Sequence, residues 1–369
     1  MHRLFLIASG LLIMGFGCST DSLPLPKGES EGVAVELLDE EVIEAEEVTE
    51  EPAEETAPET EPQIYVQFVT NVHDWLFPEK SIETLSRLMD LHEQYEIPVE
   101  FHFTDTVTQI YVDQSPDLME RIRSSAYVAV SYHVRPPHPI VSGFDQVGLM
   151  GMSSQERYET FMAFETHRLD METGRYLSDE PGGYQFLKDQ LGYAPRIVGQ
   201  TNGRNGAEYS QVFEELGALF TVLHEQGGSD ISEMIHGLNK RPEDQEVKLY
   251  EFRVPERFDP ESEFADWTDG FDGTRDWFVN LKYHENNFYL TNTPFAPIYW
   301  EDWDSGRQVA LEPPYDTTAS YDHIRIRPED HQEAHWALYT EALEYVHQNS
   351  DWLTAINSVD LEQMLETIQ

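Results

Sequence analysis

Apolar and polar positions between residues 64 and 132 follow two alternating periods, which predict strands and helices in turn. Three runs rich in β-branched and aromatic residues predict buried strands, and the segments between them have apolar residues near helical spacing. The predicted order is strand Ile64–Val72, helix Ser81–Tyr95, strand Val99–Phe103, helix Pro116–Ser125 and strand Ala126–Tyr132. This βαβαβ order predicts an α/β fold with a parallel sheet and helices outside it.

The same alternation continues through the rest of the chain, with no internal repeat. Helices are predicted at Gln155–Leu169, Gly183–Leu191, Glu208–Leu216 and Gln332–Gln348, and strands at Arg196–Gly199, Leu219–Leu223 and Trp277–Tyr283. The stretches 225–277 and 301–330 match neither period. The first is therefore predicted to be an insertion with long loops.

Histidine and aspartate follow two of the predicted strands directly. His73 and Asp74 come after the first strand, and His133 follows the third, five residues before His138 on a proline-rich loop. Because ligands gather at the carboxyl ends of parallel strands, we expect these side chains to meet and to favour a transition metal. The alternatives are that the histidines are polar loop residues and that Asp74 caps the following helix.

The amino-terminal part of the chain predicts export and a lipid anchor. Arg3 and the apolar stretch 4–16 lead to Cys18, the single cysteine, which resembles a lipoprotein signal over residues 1–18; a plain secretory signal is the alternative. Residues 19–63 carry 16 acidic side chains and one lysine, which favours a disordered tether. These features predict a lipid-anchored protein of a bacterial cell envelope, periplasmic or on the surface, with its folded domain at residues 64–369.

The charge of the chain excludes one class of partner. There are 70 acidic against 23 basic residues, with a net charge of −47. Such a surface repels the phosphate backbone, and no basic stripe with aromatic residues offsets it, so nucleic-acid binding is not expected. With one cysteine, no internal disulfide can form.

Several segments, taken in order, resemble the polysaccharide deacetylase family, also called carbohydrate esterase family four. Residues 70–75 resemble its strand ending in T-F-D-D-G, and residues 133–139 its H-[ST]-x-x-H-P motif with one extra residue. Residues 191–196 resemble its segment with glycine and proline before the third motif, and residues 279–284 the strand that supplies its catalytic histidine. The resemblance implies a distorted (β/α) barrel.

The resemblance also implies roles for individual residues. Asp74, His133 and His138 would bind a divalent metal, with zinc first and iron, cobalt or nickel as alternatives. The implied activity is removal of acyl groups, such as acetyl, from a carbohydrate or amino-sugar polymer. His284 would be the acid that protonates the leaving group, and His73 stands where the family has its aspartate base.

Departures from the family pattern leave three hypotheses for the function. His73 could act as base or as a fourth metal ligand, and the family's arginine motif is not recognisable at residues 198–203, with Arg204 displaced. The first hypothesis is a metal-dependent deacetylase-like hydrolase. The second is a glycan-binding or scaffolding module that has lost turnover, and the third is another metallohydrolase reaction, such as phosphoester cleavage, on the same scaffold.

Overall fold

The structure is a computed structural model, and it describes the greater part of the predicted folded domain. The described residues are 61–134, 138, 140, 147–199, 206–221, 246–251 (backbone only), 262, 264–265, 269–274, 276–291, 313–315 and 325–368. The predicted signal segment with Cys18, nearly all of the predicted tether, and Arg204 lie outside these residues. The predictions made for them are therefore not tested here.

A parallel sheet forms the centre of the molecule. Its strands are β1 (Ile64–Val72), β2 (Val99–Phe103), β3 (Val128–His133), β6 (Ile197–Gly199), β7 (Phe220–Thr221), β8 (Glu246–Glu251), β9 (Trp277–His284) and β10 (Leu353–Ala355). The order across the sheet is β7-β6-β3-β2-β1-β9-β8, and every pair is parallel. β1, β2, β3 and β9 are buried along almost their whole length, as expected for a sheet covered on both faces.

β1 lies at the centre of the sheet and pairs with three other strands. One of its edges pairs along its length with β9, from Ile64 opposite Trp277 onward. Its other edge is shared, because the first residues pair with β10 and the later ones, from Phe68 opposite Val99, pair with β2. This central position brings the residue that ends β9 beside the end of β1.

Helices connect the strands. They are α1 (Pro78–Tyr95), α2 (Asp105–Gln114), α3 (Pro116–Ser124), α4 (Ser154–Thr166), α5 (Gly183–Leu191), α6 (Gly206–Leu216), α7 (Glu329–Gln348) and α8 (Ser358–Ile368). α1 begins at Pro78, three residues before the predicted start, because proline is well suited to the first turn of a helix. α2 was not predicted. Its start is fixed by the Thr104 hydroxyl, which accepts a hydrogen bond of 3.3 Å from the Val107 backbone N–H.

Other elements also differ from the predictions. The helix predicted to reach Leu169 ends at Thr166, and a two-stranded antiparallel hairpin follows it: β4 (His167–Asp170) and β5 (Arg175–Pro181). Most side chains of β5 are exposed, so it has no apolar alternation for sequence reasoning to detect. Inside the predicted insertion, β8 adds a strand to the edge of the sheet beside β9.

The predicted α/β class, with a parallel sheet and helices around it, is confirmed. The sheet forms a half-barrel, and within the described residues no pair joins the outer strands β7 and β8. No helix in the described part of the chain is both long and apolar enough to cross a bilayer.

Candidate functional site

The end of β1 and the end of β9 bring two predicted site histidines together. Asn71 in β1 lies opposite His284 in β9, so His73, two residues further on, extends over the same edge of the sheet. The Nε2 atom of His73 lies 2.7 Å from Nδ1 of His284, which is hydrogen-bond distance, and the rings meet edge to face. Both side chains are buried. The pairing of two parallel strands therefore fixes this imidazole pair.

Glu285 holds the turn that carries His73. Its Oε1 atom accepts hydrogen bonds from the backbone N–H groups of His73, at 2.6 Å, and Asp74, at 2.5 Å. Burial raises the pKa of Glu285 to about 8, and the nearby charge of Asp74 acts in the same direction. Sequence analysis did not assign a role to Glu285, although its position directly after His284 was the available signal.

Both carboxylate oxygens of Asp74 accept hydrogen bonds from other groups of the protein. Oδ1 accepts hydrogen bonds from the backbone N–H groups of Leu76, at 2.8 Å, and Phe77, at 3.1 Å, and Oδ2 accepts one of 2.6 Å from the Tyr289 hydroxyl. Burial raises its pKa, and these hydrogen bonds oppose the rise. The alternative that Asp74 shapes the turn before α1 agrees with these contacts. We call His73, Asp74, His284, Glu285 and Tyr289 the strand-end cluster.

His133 ends β3 and packs against a glycine of the neighbouring strand. Its Nε2 atom lies 3.4 Å from Nδ2 of Asn71. His133 is opposite Gly199 in β6, where a Cβ atom would lie only 2.2 Å from the His133 Nδ1 atom. No larger residue fits at position 199 unless the ring moves. The imidazole of His102 lies on the other side, with ring centroids 6.2 Å apart.

His138 and Asp74 contact different residues. Its Nδ1 atom accepts a hydrogen bond of 3.2 Å from the Ile140 backbone N–H, and its Nε2 atom lies 3.4 Å from Oε1 of Glu165 in α4. Glu165 also accepts hydrogen bonds from the Tyr209 hydroxyl and, at 3.1 Å, from the Tyr184 backbone N–H. Burial raises the pKa of Glu165, while the charge of His138 lowers it. We call His138, Glu165, Tyr184 and Tyr209 the helix cluster; sequence reasoning missed its last three members.

The described contacts of Asp74 and His138 bear on the predicted metal site without testing it. Both carboxylate oxygens of Asp74 accept hydrogen bonds, one from the backbone of residues 76 and 77 and the other from Tyr289, whereas His138 faces Glu165. Among the residues that the structure describes, no group of three or more His, Cys, Asp or Glu side chains could hold a metal ion. Binding by Asp74, His133 and His138 stays a prediction, and we derive no catalytic step through a metal.

Comparison with known proteins gives structural similarities only. No family model and no curated protein sequence matches the chain. A candidate polysaccharide deacetylase from Mycobacterium smegmatis is 12% identical, with a TM-score of 0.44 over 86% of this chain and 95% of its own. A 4-alpha-glucanotransferase from Thermococcus litoralis is 14% identical, with a TM-score of 0.39 over 81% of this chain and 40% of its own.

A third similar structure is that of a pseudoenzyme of carbohydrate esterase family four from Bacillus anthracis. It is 9% identical, with a TM-score of 0.31 over 63% of this chain and 58% of its own. Because all three TM-scores are below 0.5, they carry no weight for the function. The structures that this chain resembles at low identity include polysaccharide deacetylases. Any functional assignment must therefore come from the residues of the chain itself.

Proposed function

We propose that this protein is a hydrolase that removes acyl groups from a carbohydrate or amino-sugar polymer. The observation that carries the proposal is the hydrogen-bonded pair of His73 and His284 at the carboxyl ends of two neighbouring parallel strands. Such strand ends are where α/β proteins place their ligands. The order of sequence motifs that resemble polysaccharide deacetylases supports the same reaction class.

The two imidazoles supply the base and the acid that acyl transfer to water requires. In the proposed reaction His73 takes a proton from the attacking water, and the new bond forms between the water oxygen and the acyl carbon. His284 gives a proton to the amine or alkoxide when its bond to that carbon breaks. Because 2.7 Å separates the ring nitrogens, a proton taken by one ring can pass directly to the other.

Glu285 and Asp74 position this pair. The two hydrogen bonds from the backbone of residues 73 and 74 to Glu285 fix the direction in which His73 leaves β1. The bonds from residues 76 and 77 to Asp74 fix the continuation of the chain into α1. Both carboxyl groups therefore help to fix the position of His73, the proposed base.

A glycan-binding module without turnover is the second candidate. Two observations favour it: the five side chains of the strand-end cluster are all at most 1% exposed, and Asp74 is fully committed to internal hydrogen bonds. A buried imidazole pair with these contacts also serves to stabilise the fold. The distinction between the two candidates is therefore turnover, not binding.

The test is release of acetate from N-acetylated and O-acetylated amino-sugar oligomers by the purified full chain, with and without added zinc, cobalt or nickel. Wild type is compared with His284→Ala, and with His331→Ala as a control, because His331 is exposed on α7. We expect release by wild type and by the control but not by His284→Ala. Binding of these oligomers without any release would replace the hydrolase by the binding module. Metal analysis of the same samples tests the predicted zinc site.

We also propose that lipid on Cys18 holds the protein at a bacterial cell envelope. The support is the sequence pattern alone: an apolar stretch followed by glycine and the single cysteine. Labelling of cells with a fatty acid should mark the wild-type protein and leave Cys18→Ser unlabelled. Equal labelling of both would contradict the anchor.

A further inference from the structure

A cavity of about 440 Å³ lies between the starts of three helices and the β4–β5 hairpin. Trp75, which follows Asp74 directly, is part of its lining. The other lining residues come from the start of α1, one face of α2, the β4–β5 hairpin and the start of α5. Its volume lies within the usual range of about 300–1,000 Å³ for small-molecule sites.

The lining combines polar groups, most of them from α2, with apolar groups that come mostly from the other elements. α2 supplies carboxyl, amide and hydroxyl groups from Asp105, Thr106, Gln109, Asp113 and Gln114. The hairpin and the two other helices supply aliphatic and aromatic surface, including the side chains of Leu76, Leu169, Met171 and Phe186. A sugar ring presents hydroxyl groups at its edge and C–H groups on its faces, so this lining matches its surface.

Trp75 contributes part of its indole ring to the lining, and its side chain is 2% exposed.

The charge of the lining disfavours anionic ligands and favours neutral ligands with hydroxyl groups. Asp105 and Asp113 are acidic, and the single cation, Arg168, already binds Glu180 at 2.8 Å. An anionic ligand such as a phosphate would therefore meet uncompensated carboxylates, whereas hydroxyl groups can donate to them.

We propose that this cavity is a carbohydrate subsite, which binds one sugar unit of the polymer next to the unit that reacts. The inference rests on the proposed function for the kind of ligand. Gln109 and Asp113 bind the sugar hydroxyl groups, and the apolar residues contact the face of the ring.

The chain offers a matched pair of sites for the test. Gln109 donates to Asp113 at 3.1 Å on α2, and Gln185 donates to Asp189 at 2.7 Å on α5. In each pair the glutamine is half-buried and the aspartate is exposed, but only the first pair lines the cavity. The double variants Gln109→Ala with Asp113→Ala, and Gln185→Ala with Asp189→Ala, therefore remove the same interaction in two places.

The measurement is calorimetric titration of the full chain with a tetramer of N-acetylglucosamine. We expect the cavity variant to raise Kd by about tenfold or more and the control variant by less than about twofold. Equal affinities for the two double variants, or no binding by wild type, would overturn the subsite.

Acetate release separates this inference from the proposed function. If the cavity variant loses binding while wild type binds but releases no acetate, the subsite stands and the hydrolase fails. If wild type releases acetate while both double variants bind equally, the hydrolase stands and the subsite fails.

Discussion

The strand-end cluster and the helix cluster are both buried sets of imidazole, carboxyl and phenol groups, yet they are built differently. In the strand-end cluster, neighbouring parallel strands in fixed register carry His73 and His284 to the same edge. In the helix cluster, His138 lies beside Glu165 on α4, and α6 contributes Tyr209. Backbone pairing therefore determines the first cluster, and side-chain packing between helices determines the second.

We expect the two clusters to have different roles, the first in the proposed reaction and the second in the stability of the fold. The strand-end cluster has two imidazoles joined by a hydrogen bond, and such a pair can accept and donate a proton in one reaction. The helix cluster has a carboxyl group that accepts hydrogen bonds from two different helices, and its imidazole accepts one from the backbone. We therefore expect substitutions in the first to affect turnover most, and substitutions in the second to affect folding most.

The largest expected effect is on turnover. His284→Ala should lower the rate of acetate release by about 10²–10⁴-fold, because it removes the proposed acid. The rate of His138→Ala, per folded molecule, should fall much less. Rates are measured on the soluble fraction after circular dichroism has established that each variant is folded. A similar fall in both variants would show that the two clusters act as one site.

The next largest expected effect is on stability. His138→Ala should lower the free energy of unfolding by about 2 kcal/mol, because it leaves the buried carboxyl group of Glu165 without its imidazole neighbour. Urea denaturation measures the change, with the exposed His331→Ala as the control. If His138→Ala were as stable as wild type, the helix cluster would have no structural role.

Gly199→Ala tests how closely β6 approaches the site. The added Cβ atom would collide with the His133 ring, so the ring must move, at a cost of about 1–3 kcal/mol in unfolding free energy. Gly151→Ala is the matched control, because nothing lies within 4 Å of a Cβ atom there. Equal melting temperatures for the two variants would contradict the packing of His133 on Gly199.

The last expected effect is a change in pH dependence. Because the pKa of Glu285 is raised from 4.5 to about 8, the folded protein keeps a proton that the unfolded chain has released between these values. Its contribution to stability is therefore present at low pH and is lost as pH rises from about 4.5 to 8. Glu285→Gln should flatten this part of the stability profile. An unchanged slope in the variant would show that Glu285 titrates normally.

The sequence predicted elements where the apolar pattern was continuous and failed where it was weak. β1, β2, β3 and β9 were predicted because a strand buried on both faces is rich in β-branched and aromatic residues. β5 was missed because most of its side chains are exposed, and β8 because it lies in a highly charged stretch. α2 was missed because its apolar residues, Val107, Ile110, Tyr111 and Val112, are β-branched or aromatic, and such residues favour strands.

The sequence by itself determined the α/β class and which residues stand at strand ends, because period and strand order follow from local pattern. It therefore placed His73, Asp74, His133 and His284 at one edge of the sheet. Only the tertiary structure decided which partners these side chains have. Asp74 is engaged by Tyr289, 215 residues away, and His73 by Glu285, 212 residues away. Contacts at such separations depend on how helices, loops and strands pack together, and no local pattern contains that information.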